Sequence, residues 1–151
     1  PAMLEAAHAH APDCAFNVRV THASGMLEGK YTEDTVFAEN DHRRHRPRSW
    51  LINGIQKVRT LDFLTRRMTL GQAALKWLLA DPLIVTTLPN IYDDEQLDEF
   101  AAASDLDDLS SDDLARIADL NAVNFGISGE TQAYKGTMQR DAAQHAAQAV
   151  R

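Results

Sequence analysis

The stretch that decides the fold is Leu83–Phe100, with the sequence LIVTTLPNIYDDEQLDEF. Its first six residues are apolar or β-branched and carry no charge, a pattern typical of a strand that is buried on both faces. Pro89 ends this run, and two acids then open a helical pattern in which Leu97 and Phe100 share an inward face. The stretch therefore predicts a strand, a loop and a helix. In parallel α/β folds, a loop at the carboxyl end of a buried strand is a common place for a ligand.

The composition is that of a soluble globular protein, since the 151 residues are 44% hydrophobic and 25% charged. No apolar run approaches the ~20 residues that span a bilayer, and the N-terminus lacks the pattern of a signal peptide. The net charge of −7 argues against a nucleic acid partner, because phosphate backbones need a basic face. Cys14 is the only cysteine, so no internal disulfide can form. We expect a cytoplasmic protein that binds neither membrane nor nucleic acid.

A second strand is predicted upstream, at Ala15–Val20. Gly25 and Gly29 follow it and indicate a loop in which the backbone turns or approaches a ligand closely. Residues 32–48 are mostly polar or charged, and they predict a long surface loop that is a candidate lid. Beyond this loop, Ser49 can cap a helix that runs to about residue 64.

Two later helices are predicted from capping boxes. Thr69 and Gln72 form the first box, before a run of apolar residues at helical spacing. Ser110 and Asp113 form the second, at the start of a helix that is predicted to reach Gly126.

Together these patterns predict a mixed α/β fold with about two parallel strands and about five helices. This part covers residues 1–126, and residues 127–151 are predicted to form a loosely structured C-terminal tail. A two-stranded sheet is marginal by itself, and it leaves the apolar faces of several helices uncovered. Uncovered apolar surface of this kind is typical of a sector of a larger α/β barrel. Because the chain starts at Pro1 instead of methionine, we expect an incomplete barrel whose N-terminal half lies outside this sequence.

Four blocks of the sequence occur in an order and at a spacing that are known from one family. They are Ser24–Tyr31 (SGMLEGKY), Phe37 with Asp41 and Arg43, Thr69–Leu79 (TLGQAALKWLL), and Leu88–Pro89 with Glu95–Glu99 (EQLDE). Together they resemble the aldo-keto reductases, over about residues 1–126. The resemblance implies the C-terminal portion of a TIM (β/α)8 barrel, with the two predicted strands as its seventh and eighth.

The resemblance also implies an activity. The family reduces aldehydes and ketones to alcohols with hydride from a nicotinamide cofactor, usually NADPH, and relies on an Asp, Tyr, Lys and His set in its N-terminal half. Nothing in this sequence matches that set, so no residue is assigned a catalytic role and the chain alone is expected to be inactive. The alternative is a non-catalytic half-barrel or a helical interaction module.

The contribution implied for this chain is cofactor binding, to NADP or NAD. Arg19 stands where the family places a residue against the nicotinamide ring, and Gln96 and Glu99 match positions that bind the adenosine end. The loop that folds over the pyrophosphate contains His22, Ala23, Ser24 and Met26, with Lys30 at its end. Asn90 and Tyr92 stand where many relatives have Gly and Arg, and Phe100 replaces a common Asn.

The acids Asp93 and Asp94 bear on the choice of cofactor. Each would repel a 2′-phosphate ~5 Å away by roughly 1–3 kcal/mol. We therefore expect the preference for NADPH to be weakened in this protein.

Several side chains have a simpler interpretation. His8 and His10 lack a third ligand and are interpreted as surface residues, so no metal is expected. Cys14 is interpreted as an inert residue. The arginines among residues 43–48 are interpreted as a solvated face, and Lys30 is open between a cofactor contact and a solvated side chain.

Overall fold

The computed structural model describes residues 2–128 and shows a mixed α/β chain. Within these residues it has a two-stranded parallel sheet and five α-helices, which confirms the predicted fold class. The strands are β1 (Phe16–Arg19) and β2 (Ile84–Leu88), and the helices are α1 (Ala2–His10), α2 (Arg48–Arg59), α3 (Leu70–Leu79), α4 (Asp94–Ala101) and α5 (Ser111–Ala122). Short 3-10 helices occur at Met26–Glu28, His42–His45, Asp62–Arg66, Ala102–Asp105 and Asn124–Gly126. Beyond Ser128, the predicted tail lies outside the described residues.

The two strands pair in parallel, with Asn17 opposite Thr86 and Arg19 opposite Leu88. An irregularity in the register lies next to Phe16. Because the strands are parallel and Arg19 faces Leu88, both strands end at the same edge of the sheet. The segments that follow them therefore leave the sheet side by side.

The starts of α3 and α5 confirm both predicted capping boxes. The Thr69 hydroxyl accepts a hydrogen bond from the Gln72 backbone N–H at 3.1 Å, and the Gln72 side chain accepts one from the Thr69 N–H at 2.9 Å. Ser110 and Asp113 repeat this exchange at α5. Each box satisfies backbone donors that a helix N-terminus otherwise leaves unpaired.

The apolar core consists of three clusters of buried side chains. The largest joins α3 and α5 to the segment between α2 and α3, and it contains Leu61, Leu64, Met68, Leu70, Ala73, Leu109 and Ile117. A second joins the 3-10 turn at residues 26–28 to α2, and it contains Met26, Trp50, Leu51 and Ile55. The third, formed by Leu75, Phe100 and Ala103, packs α4 on α3.

The predicted bounds of α2 are wrong at both ends. The helix begins at Arg48 with Pro47 as its N-cap, so Ser49 lies within the first turn. Pro47 has an extended backbone, with a φ of −62° and a ψ of 148°, so the helical conformation starts after it. The α-helix then ends at Arg59, and a separate 3-10 helix at Asp62–Arg66 carries the chain past the predicted end.

The predicted C-terminal end of α5 is also wrong. The helix stops at Ala122, four residues before Gly126, because Asn124 and Phe125 adopt positive φ angles of 50° and 56°. A right-handed helix cannot continue through that conformation. Lys57 fixes the turn from α2, where its ammonium group donates to the Asn124 side-chain oxygen at 2.6 Å.

The prediction that β2 is buried on both faces is wrong for the described chain. Val85 is 62% exposed and Leu88 is 54% exposed, whereas Ile84 is buried. The described residues supply one neighbouring strand and no second layer over the outer face of β2. This apolar surface is the kind that further strands and helices cover in a closed barrel.

None of the helices in the described part of the chain is long and apolar enough to cross a membrane.

Candidate functional site

The segment after β1 has an unusual backbone and lies at the carboxyl edge of the sheet. We call residues 20–31 the β1 loop. Val20, Ala23 and Ser24 have positive φ angles of 61°, 49° and 61°, and Gly25 has a φ of 86°. A β-branched residue such as valine rarely adopts this conformation, and strained backbone of this kind concentrates at ligand sites.

His22 anchors the β1 loop to the two helices behind it. Its Nε2–H donates to the Gly71 carbonyl at 3.1 Å, and its ring stacks on Phe100 with the centroids 4.4 Å apart. The Thr21 hydroxyl lies 3.2 Å from Nδ1 and hydrogen-bonds to this second ring nitrogen. Because the carbonyl can only accept, Nε2 carries the proton, and both ring nitrogens are bonded within the chain. The geometry makes His22 a support for the loop.

Gln96 connects the β1 loop to α4. Its side-chain oxygen accepts from the Tyr92 backbone N–H at 2.8 Å, and its Nε2 donates to a Glu28 carboxylate oxygen at 2.9 Å. Gln96 is 4% exposed, so this amide has little other access to hydrogen-bonding partners. The sequence gives no signal for Glu28, because the two residues lie 68 positions apart.

Glu99 and Phe100 lie where α4 packs against the start of α3. A carboxylate oxygen of Glu99 accepts from the Thr69 hydroxyl, and the Glu99 carbonyl accepts from the Gln72 side chain at 2.8 Å. Because Gly71 has no side chain, α4 can lie this close to the start of α3. A Cβ atom there would lie 2.8 Å from the Glu99 carboxylate and 2.9 Å from the Phe100 ring.

The other predicted cofactor residues have fewer contacts. Arg19, Ala23 and Lys30 are exposed, and the Asn90 amide lies 3.3 Å from the Tyr92 hydroxyl. The structure thus brings together His22, Phe100, Glu99 and Gln96, and leaves Arg19, Lys30, Asn90 and Tyr92 on the surface.

A cavity of about 380 Å³ lies between the β1 loop and α2. Met26, Ile55, Val58 and Leu70 form apolar parts of its wall, and Glu28 is among its polar residues. Met26 is the one predicted cofactor residue that lines it. The volume is at the small end of the range for ligand pockets.

Tyr31, the last residue of the β1 loop, is connected by hydrogen bonds to Arg43 and through it to Asp41, a unit that the sequence did not single out. We call Asp41, Arg43 and Tyr31 the relay. The Arg43 guanidinium binds the Asp41 carboxylate through Nε at 2.9 Å and through Nη2, and its Nη1 donates to the Tyr31 hydroxyl. The Tyr31 hydroxyl donates in turn to the Ser24 carbonyl at 2.7 Å.

The side chains of the relay pack against aromatic rings, although the sequence predicted a solvated face for the arginines of this segment. The Arg43 guanidinium lies 5.1 Å from the Phe37 ring centroid, and the Tyr31 ring meets Phe37 edge-on at 5.4 Å and tilts toward Trp50 at 6.3 Å. The segment suggested as a lid is therefore attached to the β1 loop through Phe37 and Arg43. For Arg43 the interpretation as a solvated residue is wrong, because its side chain is only 25% exposed.

The charged end of the relay shifts the pKa values of its members. The Arg43 side-chain hydrogen bonds lower the pKa of Asp41 from 3.8 to about 2, and the Asp41 side-chain hydrogen bonds raise the pKa of Arg43. Burial raises the pKa of Tyr31 above its ordinary value of 10.0, with Arg43 acting in the opposite direction. At neutral pH the relay therefore holds a carboxylate, a guanidinium and a protonated phenol.

We expect the Asp41 ion pair to make stability depend on pH in acid. Because the pKa of Asp41 falls from 3.8 to about 2 on folding, its contribution is complete above about pH 4 and disappears as pH falls through about 2. After screening by solvent, the contribution is about 1 kcal/mol. Urea unfolding at pH 5 and pH 2 should show Asp41→Asn less stable than the unaltered chain by this amount at pH 5, and nearly equal to it at pH 2. An equal gap at both pH values would contradict the assignment.

The described residues include no group of three or more His, Cys, Asp or Glu side chains placed to hold a metal ion. His8 instead pairs with Asp81, at 3.0 Å, between α1 and the turn before β2. This contact is far from the sheet edge at which the two loops emerge.

A protein-family model matches most of this sequence. The model of the aldo/keto reductase family matches residues 2–122, and a search of curated proteins found no match. The match includes both strands, all five helices and the β1 loop. It confirms the resemblance that the four sequence blocks carry. This chain belongs to the aldo/keto reductase family.

Proposed function

We propose that this chain is the cofactor-binding part of an NAD(P)H-dependent oxidoreductase that reduces a small aldehyde or ketone to an alcohol. Membership of the family supports an oxidoreductase role in general. The observation that carries the finer proposal is the bridge from Glu28 to Gln96. It joins the β1 loop to the helix that follows β2, at the edge where α/β folds bind ligands.

The β1 loop has the donors that a pyrophosphate needs. Among the described residues, no acceptor is found for the backbone N–H of Ser24 or of Gly25, and Gly25 is buried. Buried N–H groups usually have a partner, and successive N–H groups in a turn form an anion site. The Ser24 hydroxyl adds a third donor beside them. These groups fit the phosphate end of a dinucleotide.

The adenosine end would lie against α4. Gln96 and Glu99 are placed there with their polar groups already bonded to Glu28 and Thr69, so a ribose would share or replace these contacts. Arg19, at the end of β1, is the proposed neighbour of the nicotinamide ring. The bound cofactor supplies the hydride, and the residues of this chain bind and orient it.

We also propose that the acid that protonates the carbonyl oxygen comes from outside this sequence, in the N-terminal half of the barrel. The chain by itself should then bind cofactor and show no carbonyl reduction. A cytoplasmic location and the tail at residues 127–151 stay predictions from the sequence.

Equilibrium titration of the chain with NADH, followed by the nucleotide's fluorescence, tests the proposed function. Saturable binding is the expected result, and self-association of the chain without NADH binding would favour a non-catalytic half-barrel.

We expect NADH to bind about tenfold or more tightly than NADPH. Asp93 is the N-cap of α4 and Asp94 lies in its first turn, and the Glu28 carboxylate adjoins the same helix through Gln96. Each carboxylate near a 2′-phosphate costs roughly 1–3 kcal/mol, whereas carboxylates bind ribose hydroxyls well. The ratio of the two dissociation constants, measured on one preparation, is the test.

A charge-neutral variant sharpens this prediction. Asp94→Asn should lower the ratio of the NADPH to the NADH dissociation constant about fivefold, because it removes ~1 kcal/mol of repulsion from the bound 2′-phosphate. Asp112→Asn is the matched control, since Asp112 also lies in the first turn of a helix, at α5. A strong preference for NADPH in the unaltered chain, or an equal effect of both variants, would contradict the account.

A further inference from the structure

We propose that Tyr31 is a positioning residue, whose hydroxyl fixes the Ser24–Gly25 peptide so that its N–H faces the cofactor pyrophosphate. The inference rests on the proposed function and extends it to a side chain that would not itself touch the cofactor. Arg43 and Asp41 complete the device by holding the Tyr31 hydroxyl in place.

The direction of the peptide follows from one hydrogen bond. The Tyr31 hydroxyl donates to the Ser24 carbonyl at 2.7 Å, and the described peptides are all trans. In a trans peptide the C=O and the following N–H point in opposite directions. Fixing the Ser24 carbonyl toward Tyr31 therefore turns the Gly25 N–H away from the aromatic cluster. This N–H is the buried donor that has no acceptor among the described residues.

The remainder of the relay makes Tyr31 a better donor. The Tyr31 oxygen accepts from the Arg43 guanidinium while its proton goes to the carbonyl, so the two hydrogen bonds form a chain in which each polarises the next. Arg43 is in turn fixed by two-point binding to Asp41. The raised pKa of Tyr31 keeps the phenol protonated throughout the neutral range, so the bond to Ser24 persists.

The Tyr31 side chain is closely surrounded. A Cβ atom at Gly25 would lie 2.4 Å from the Tyr31 oxygen and 3.3 Å from the Arg43 Nη1. Phe37 and Trp50 hold the Tyr31 ring from its other sides. Tyr31 thus reaches the Ser24 carbonyl because residue 25 has no side chain.

The test compares ligands that contain or lack the pyrophosphate. Tyr31→Phe keeps the ring and removes the hydroxyl, so NADH and ADP should each bind about fivefold more weakly, the effect of one neutral hydrogen bond. Adenosine, which has no phosphate, should bind with unchanged affinity. Ser104→Ala is the matched control, because it removes a similar hydroxyl-to-carbonyl bond of 2.8 Å outside the β1 loop. It should leave all three affinities unchanged.

Arg43→Lys gives an independent variant that keeps the charge and loses the two-point contact with Asp41. It should weaken NADH and ADP binding in the same direction by a smaller factor. An equal loss of adenosine affinity in Tyr31→Phe would show a general structural role and overturn the inference. Unchanged NADH binding in Tyr31→Phe would also overturn it while leaving the proposed function intact. Failure of the unaltered chain to bind NADH would overturn both.

Discussion

Replacing Phe100 with alanine should lower the free energy of unfolding by about 3–5 kcal/mol, the usual cost of deleting a buried aromatic ring. Phe100 is 6% exposed and packs in the cluster with Leu75 and Ala103. Its ring also stacks on His22, so the variant removes the surface against which the β1 loop rests. Urea unfolding at pH 7 measures the loss.

A control on the same helix separates this effect from a general weakening of α4. The prediction that Leu97 faces inward with Phe100 is wrong, because Leu97 is 49% exposed, so Leu97→Ala should cost less than about 1 kcal/mol. Equal losses for the two variants would show that the Phe100 contact does not carry the stability assigned to it.

Gly25→Ala should lower the free energy of unfolding by about 2–3 kcal/mol. A left-handed φ of 86° costs a residue with a side chain ~1 kcal/mol, and the new Cβ displaces the Tyr31 hydroxyl from the Ser24 carbonyl, which removes a further ~1 kcal/mol or more. Because the same substitution moves the Gly25 N–H, NADH affinity should fall as well. Thermal unfolding and NADH titration of the variant test the two parts.

Gly29→Ala is the matched control for this prediction. Gly29 has a similar φ of 71°, but its nearest neighbour to a new Cβ is a Leu70 methyl group at 3.8 Å. Only the conformational cost of about 1 kcal/mol should appear there. If both variants lower the free energy of unfolding equally, the clash of a side chain at residue 25 with Tyr31 does not contribute to the loss.

The parts of the fold that the sequence predicted are those set by local patterns. The Thr69–Gln72 and Ser110–Asp113 boxes depend on residues three apart, and the apolar run in Leu83–Phe100 is continuous. The burial on both faces that was predicted for the strand in this stretch is wrong. Its outer face is exposed at Val85, because burial depends on layers that the chain itself does not specify at that point.

The site depends mainly on contacts between residues that are distant in sequence. Glu28 meets Gln96 across 68 positions, and His22 meets Gly71 across 49. No pattern within either segment indicates such a partner. Arg43 lies in a cluster of arginines that the sequence presents as a solvated face, and only the packing of Phe37 shows that it is held. The four sequence blocks indicated the family, which the family match over residues 2–122 confirms.

The most direct test of the central claim is a nuclear magnetic resonance titration of the ¹⁵N-labelled chain with NADH. We expect saturable shifts that are largest at the amides of Ser24 and Gly25 and at the Gln96 side chain. Tyr31→Phe should reduce the shifts in the β1 loop more than those at Gln96. The absence of any shift up to about 10 mM NADH, an affinity too weak for a cofactor, would contradict the account. Shifts confined to Ile55 and other residues of the cavity beneath α2 would contradict it equally.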